Sequence, residues 1–283
     1  MCAPPMSLSY CILGSGSSGN CLWVKGGGTQ VLVDCGLSAR QIGVRLEEVG
    51  GRLEDIAAIL CTHGHSDHIG GARVLARSCA FELWATAGTA SFLPTSLPEE
   101  RIHALPYGGT LRLHGLTVET VPTSHDCPQS VALRLSDGET SLGVVTDLGV
   151  ATDAIVNAFK NLDGLLLEMN HDVPMLLEGP YPERLKKRIT SKWGHLSNEQ
   201  GAEMLRAVLH DGLQQLSLGH LSEQNNTEDL ARAAAEAILE ERGGKGPALA
   251  VVVQHKVGEP VTLTPASAKK VPARLRQLAL PLR

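Results

Sequence analysis

The stretch Cys61-Thr62-His63-Gly64-His65-Ser66-Asp67-His68 follows a short apolar segment, residues 56–60, and sets three histidines and an aspartate within six positions. Neutral imidazoles and a hard carboxylate oxygen are donors for zinc, manganese or iron. Alternate residues of an extended loop project to the same side, so His63 and His65 can grip one ion. Asp67 and His68, on the turn into the next helix, can face a second. The competing reading is a polar turn rich in histidine by chance. With only 11 histidines in 283 residues, such clustering at ligand spacing argues for metal.

Working outward, residues 8–13 read as a strand running into the flexible loop Gly14-Ser15-Gly16-Ser17-Ser18-Gly19-Asn20. Residues 21–24 and 30–33 read as a hairpin around Gly26-Gly27-Gly28, ending at Asp34. Ser38 is placed to cap a helix through Val49, with Ile42, Leu46 and Val49 on one face. Residues 56–60 form a buried strand that delivers the histidine loop, and residues 67–77 the helix after it. From 82 to 145 the pattern is mainly short strands with one helix between them. Helices near 151–159, 182–188, 198–210 and 227–240 then alternate with strands at 164–168, 215–219 and 248–254. Strands followed by strand–helix alternation, twice over, predict an α/β (α+β) fold: a four-layer αββα sandwich of two mixed sheets flanked by helices. Residues 1–264 read as one domain and 265–283 as a basic tail.

The net charge of −5 gives no overall basic field, although a local basic strip can still serve a phosphate substrate. Seven cysteines (2, 11, 21, 35, 61, 79 and 127) contain no CxxC pair and are odd in number, which fits reduced thiols better than a disulfide framework. The N-terminal residues lack the order of a signal peptide, and no apolar run is long enough to span a bilayer. The expectation is a cytoplasmic protein without a membrane partner.

Two ions need more donors than one loop supplies. His125, Asp147 and His220 each directly follow an expected strand, as does Asp34. A lone histidine is more often a satisfied hydrogen-bonding group than a ligand. The shared placement after buried strands, where sites are commonly grafted, favours ligation. Asp34 is expected to orient a ligating imidazole through hydrogen bonds.

The order Asp34, His63-x-His65-x-Asp67-His68, His125, Asp147, His220 resembles the five motifs of the metallo-β-lactamase fold. The resemblance implies that His63, His65 and His125 hold one metal, that Asp67, His68 and His220 hold the other, and that Asp147 bridges them. A water between two such cations loses a proton near neutral pH and serves as nucleophile. Many true β-lactamases carry cysteine where this chain has Asp147. A glyoxalase II-like thioesterase would add a mainly helical C-terminal domain, which the pattern after Asp147 lacks.

The segments Leu167-Glu168-Met169-Asn170-His171-Asp172 and Gly194-His195-Leu196-Ser197-Asn198 are similar to those of ribonuclease Z-like phosphodiesterases. That likeness implies a glutamate, Glu168, supporting a histidine, His195, that protonates the leaving oxygen, with Ser197 capping the next helix. Asp67 would orient the hydroxide and accept its proton. Neither a β-CASP insertion nor a long tRNA-gripping arm is present. With the loop 14–20, Gly179-Pro180-Tyr181-Pro182 and His220-Leu221-Ser222-Glu223-Gln224-Asn225-Asn226, nearly the whole chain is similar to the bacterial YycJ/WalJ metallo-hydrolases. The resemblance implies a zinc- or manganese-dependent exonuclease acting on DNA from a 5′ end in repair, with Ser17, Ser18, Asn20 and Ser222 at the substrate. The alternatives are a small-molecule cyclic phosphodiesterase and an RNA-processing nuclease of the same fold.

Arg184, Lys186, Lys187, Arg188 and Lys192 gather positive charge before His195, flanked by Tyr181 and Trp193, as a strip for phosphates and bases. A solvated helix face explains the same charges. Gln277-Leu278-x-Leu280-x-Leu282 resembles the hexapeptide with which bacterial polymerases dock on the sliding clamp, making that clamp an expected partner.

Overall fold

Short apolar runs punctuated by glycine and aspartate become strands of two facing sheets in a computed structural model that describes residues 7–265. The first sheet holds β1 (Ser9–Gly14), β2 (Cys21–Gly26), β3 (Thr29–Val33), β4 (Ala58–Cys61), β5 (Glu82–Ala85) and β6 (Ile102–Ala104) in sequential order. The second holds β7 (Gly109–Leu113), β8 (Leu116–Pro122), β9 (Val131–Ser136), β10 (Ser141–Val145), β11 (Gly164–Glu168), β12 (Gln215–Gly219) and β13 (Ala248–Val251). A two-residue strand, β14 (Val261–Thr262), returns to pair with β1. Each sheet starts antiparallel and turns parallel, at β3–β4 and at β10–β11. The expected four-layer sandwich is therefore the observed one.

Three apolar layers hold the sandwich. Val24, Val33, Val118, Leu133, Val144 and Leu166 meet between the sheets. Helix α1 (Ala39–Glu48) and a later helix at 72–78 cover the outside of the first sheet through Ile42, Leu46 and Leu75. Ile155, Leu205 and Ile238, from helices in the second half, cover the second. Burial of this kind contributes roughly 1.5–3 kcal/mol per large aliphatic side chain.

Where the structure departs from the sequence reading, backbone hydrogen bonds explain it. The helix expected over 67–77 is two pieces, α2 (Ser66–Ile69) and α3 (Ala72–Ser78). The Asp67 carbonyl is taken by the Asn20 N–H at 2.7 Å, and the Gly71 N–H goes to the Cys35 carbonyl at 2.7 Å, so the helical ladder cannot continue. A further helix, Val173–Glu178, has no counterpart in the sequence reading, although Asp172 caps it and Pro174 sits in its first turn. Ser197 caps the helix Asn198–Val208 in a reciprocal box with Gln200, as expected. The six cysteines among the described residues are free thiols. Among those residues, no helix is long and apolar enough to cross a membrane. The clamp-like segment Gln277, Leu278, Leu280, Leu282 lies outside the described residues.

Candidate metal centre

The parallel strands point their C-terminal ends at one rim, the usual place for a site on such sheets. Asp34 follows β3, His63 follows β4, Asp147 follows β10, Glu168 ends β11 and His220 follows β12. Asp34, Asp147 and His220 have φ of 61°, 57° and 57°, the left-handed region that non-glycine residues avoid. Fixed partners hold these turns: the Asp34 N–H donates to Leu60 O, Asp147 N–H to Glu168 Oε1, and His220 N–H to Ser15 Oγ. Such strain concentrates where a side chain must be aimed.

Three imidazole nitrogens converge on one point. His63 Nε2 and His125 Nε2 each lie 3.2 Å from His65 Nδ1. His125 Nδ1 donates to Gly194 O at 3.1 Å, which leaves its Nε2 as a lone pair facing the other two. A zinc–nitrogen bond of roughly 2.0–2.1 Å implies donors about 3.3 Å apart around a tetrahedral ion. The observed spacing fits. A second group forms from His68 Nε2, His220 Nε2 and Asp67 Oδ2, the last lying 3.5 Å and 3.8 Å from the two imidazoles. Asp147 stands between the groups: Oδ1 is 3.7 Å from both His125 Nε2 and His220 Nε2, and Oδ2 is 3.2 Å from His68 Nε2.

The chemistry of the donors asks for cations. Asp147 Oδ2 and His220 Nε2 are buried without a hydrogen-bond partner, a costly state unless an ion occupies the space between them. Burial disfavours the charged form of His68 and His220, yet the carboxylates prevail. Asp147 and Asp34 raise His68 well above the usual histidine range, and Asp147, Asp67 and Glu168 raise His220 to about 10. Burial and the neighbouring His68 push His63 the other way, well below that range. With no cation present, the buried acids draw protons onto the second group of imidazoles; a metal ion supplies that positive charge instead.

Two carboxylates hold the candidate ligands from behind. Asp34 accepts from His68 Nδ1 at 2.7 Å and from Thr62 N–H at 2.8 Å. Glu168, fully buried, accepts from Nδ1 of both His195 and His220 at 2.9 Å, and from the backbone N–H groups of Asp147, Leu148 and Leu196. Burial would raise its carboxyl, but His195 and His220 bring it down to about 2. His195 is thereby placed beside Asp147, its Nδ1 3.6 Å from Oδ1.

A cavity of about 160 Å³ opens next to His195, lined by Ser17, Asp126, Asn170, Tyr181, Arg188 and Ser222 among others. Of the residues expected at the substrate, Ser17 and Ser222 are there. Ser18 is exposed but outside the lining, with its N–H donated to Gln254 Oε1. Asn20 is buried, and its amide lies 3.0 Å from His68 Nε2, so it packs on that imidazole rather than lining the cavity. Lys186 leaves the expected basic strip as well: it is buried and donates to Leu177 O. A larger cavity of about 540 Å³, between β1 and β13, holds none of the ligands.

Several contributors escaped sequence reasoning. Thr62 links Asp34 to the histidine loop. Asp126 lies 3.5 Å from His65 and 3.4 Å from His125 while ion-paired to Arg188. Gly36 lets the Asp67 backbone approach so closely that a Cβ there would fall 1.6 Å from Asp67 O. Asp126 had one available signal, its place directly after His125.

Comparison with known proteins agrees with this geometry. The beta-lactamase superfamily domain matches residues 29–220. Exodeoxyribonuclease WalJ of Streptococcus pneumoniae is 38% identical over 231 residues, covering 80% of this chain and 86% of that protein. Exodeoxyribonuclease YycJ of Bacillus anthracis is 34% identical over 250 residues, covering 87% and 95%. The chain belongs to the WalJ/YycJ branch of the metallo-β-lactamase superfamily. The fold of that superfamily is seen again in the metallo-β-lactamase fold protein YhfI of Bacillus subtilis. Its TM-score is 0.68 at 15% identity, over 90% of this chain and 99% of that one. As a member of the WalJ/YycJ branch with these clusters of ligands, the protein is a metal-dependent hydrolase.

Proposed function

We propose that the chain is a binuclear phosphodiesterase that degrades DNA from its 5′ end and serves DNA repair. The observation that carries this reading is the Glu168 carboxylate gripping Nδ1 of both His195 and His220. It puts a proton-carrying imidazole beside the ligand cluster, where a phosphodiester needs its leaving oxygen protonated. The names of the WalJ and YycJ relatives supply the substrate class and the exonucleolytic action.

His63, His65 and His125 would hold one ion and Asp67, His68 and His220 the other, with Asp147 shared. This nitrogen and oxygen set, free of thiolate, suits zinc and manganese alike. When bound, the two ions would supply Lewis acidity and a water acidified for attack. The chain's own groups do the rest. Asp67 orients the attacking water and takes its proton. His195, its Nδ1–H held by Glu168, acts in its doubly protonated form: it gives the Nε2 proton to the departing oxygen and is left as the neutral Nδ1–H imidazole. Asp34 and Thr62 keep the histidine loop in place, while Ser17 and Ser222 border the cavity that receives the leaving end. The three stacked apolar layers, drawn from residues between Leu8 and Leu263, support reading the described part of 1–264 as one domain.

The small volume of the cavity favours one second reading, a phosphodiesterase for small cyclic substrates. The test is digestion of 5′-phosphorylated single- and double-stranded DNA, and of matching RNA, with manganese or zinc. His195→Ala should keep its metal and lose turnover on the order of 100-fold or more. Stepwise products from the 5′ end of DNA, absent in the variant, are expected. Turnover of bis(p-nitrophenyl) phosphate with no cleavage of any polymer would replace the nuclease with the small-molecule enzyme, and preference for RNA would change the substrate.

A further inference from the structure

The cavity beside His195 is lined by donors whose protons nothing else in the described residues takes. Arg188, on the helix Glu183–Ile189, gives Nε to Asp126 Oδ2, and among those residues neither of its terminal nitrogens has an acceptor. The hydroxyls of Ser17 and Tyr181 likewise make no hydrogen bond among them. Ser222 Oγ accepts from the backbone and side-chain N–H groups of Asn225, at 3.2 Å each, which leaves its own proton to give. The lining has one carboxylate, Asp126, and Arg188 already neutralises it.

An exposed ion pair of this kind adds little stability by itself. As an anchor it fixes the guanidinium through Nε and leaves the terminal nitrogens as a fork, the geometry that grips phosphate. It also ties that fork to the metal centre, because Asp126 Oδ1 lies 3.5 Å from His65 Nε2 and 3.4 Å from His125 Nε2. The His195 ring is centred 5.2 Å from that of His125.

Size and position limit what enters. At about 160 Å³ the cavity is smaller than the roughly 300–1,000 Å³ of a typical ligand pocket. It suits one small charged group, not a strand passing through. In the phosphodiesterase reading His195 protonates the departing oxygen, so a group in the adjoining cavity belongs to the leaving side of the scissile bond. When the first linkage from a 5′ end is cut with O3′ departing, the only phosphate on that side is the 5′-terminal one.

Resting on that reading, we propose that Arg188, anchored by Asp126, binds the 5′-terminal phosphate of the substrate with Ser17, Tyr181 and Ser222 and so selects phosphorylated ends. The reaction then renews its own ligand. Water loses one proton to Asp67 and bonds to phosphorus as the P–O3′ bond breaks, and His195 gives its proton to O3′. The phosphate stays on the shortened strand as the new 5′ end. A 5′-hydroxyl end should therefore be slow for one turnover only.

The test uses full-length, manganese-loaded protein on 3′-labelled duplex DNA ending in a 5′-phosphate or a 5′-hydroxyl, sampled by rapid quench so that each shortened strand is resolved. In the wild type the first cut at the hydroxyl end should be about 10- to 100-fold slower than at the phosphate end, the loss of one charge-assisted contact, and later cuts should match. Arg188→Ala should slow every cut of the phosphorylated duplex to the hydroxyl rate and erase the first-cut difference, and Arg188→Lys should restore part of it. Metal content and melting temperature check that each variant is loaded and folded; a merely structural role for Arg188 would slow both ends alike and keep their ratio. Equal first-cut rates in the wild type, or a difference that survives Arg188→Ala, would overturn the proposal while the stepwise ladder kept the nuclease. Absence of any ladder from either duplex would overturn the nuclease reading and the proposal with it.

Discussion

Replacing Glu168 with glutamine changes one atom of a group that five donors address at once. Oε2 accepts from the N–H groups of Leu148 and Leu196, and Oε1 accepts from the Asp147 N–H and from Nδ1 of His195 and His220. A glutamine must turn its NH₂ toward one of these sets. The milder choice keeps the carbonyl on the Oε1 side and sets the NH₂ against two backbone donors. Each buried donor left without an acceptor costs about 1–3 kcal/mol, so the fold loses roughly 2–6 kcal/mol. For a chain of this size, with a shift of about 2–4 °C per kcal/mol, the melting temperature should fall by roughly 4–24 °C. His220 also loses its carboxylate partner, which should weaken metal binding roughly 10- to 100-fold. Scanning calorimetry of the loaded protein and a zinc titration by isothermal calorimetry measure the two effects separately. A Glu168→Gln protein that melts with the wild type and binds both ions unchanged would refute the claim that this carboxylate organises the site.

Asp34→Asn removes the charge behind His68 and should cut affinity for the ion at Asp67, His68 and His220 roughly 10- to 100-fold by competition with a chelating dye, while equal affinity would deny Asp34 its orienting role. Gly36→Ala forces a Cβ into the Asp67 carbonyl and should destabilise the fold by about 1–3 kcal/mol or more in urea melts, together with loss of bound metal; a neutral outcome would contradict the close approach. The pH response follows from His220, raised in the metal-free site from 6.5 to about 10 against the pull of burial. A folded-state value raised above the unfolded one stabilises fully below the lower value and is lost as pH climbs through the higher. Chelated protein should therefore lose melting temperature between pH 6.5 and 10, and loaded protein should not, because the ion replaces the proton. Parallel pH profiles for the two forms would count against that exchange.

Much of this protein is legible in its amino-acid sequence. The strands at 164–168 and 215–219 read correctly because apolar runs between turn residues have few other ways to bury themselves. The donors His63, His65, Asp67, His68, His125, Asp147 and His220 are legible because they cluster in one loop or directly follow a strand that fixes their position. What the chain could not disclose by itself was set by contacts between distant residues. The break at Gly70-Gly71 depends on Asn20 and Cys35 taking the backbone partners of α2, 47 and 36 positions away in the chain. Asn20 reads as a loop residue for substrate until the fold seats its amide against His68. Lys186 reads as surface charge until its ammonium finds Leu177 O in the interior. Asp126 carries little local signal, since its meaning comes from lying against His65 across the rim. Local periodicity determines which segments become strands and which donors stand at their ends. The donors become a centre only when the two sheets close, because the interactions that aim them are hydrogen bonds and buried charges between residues far apart in the chain.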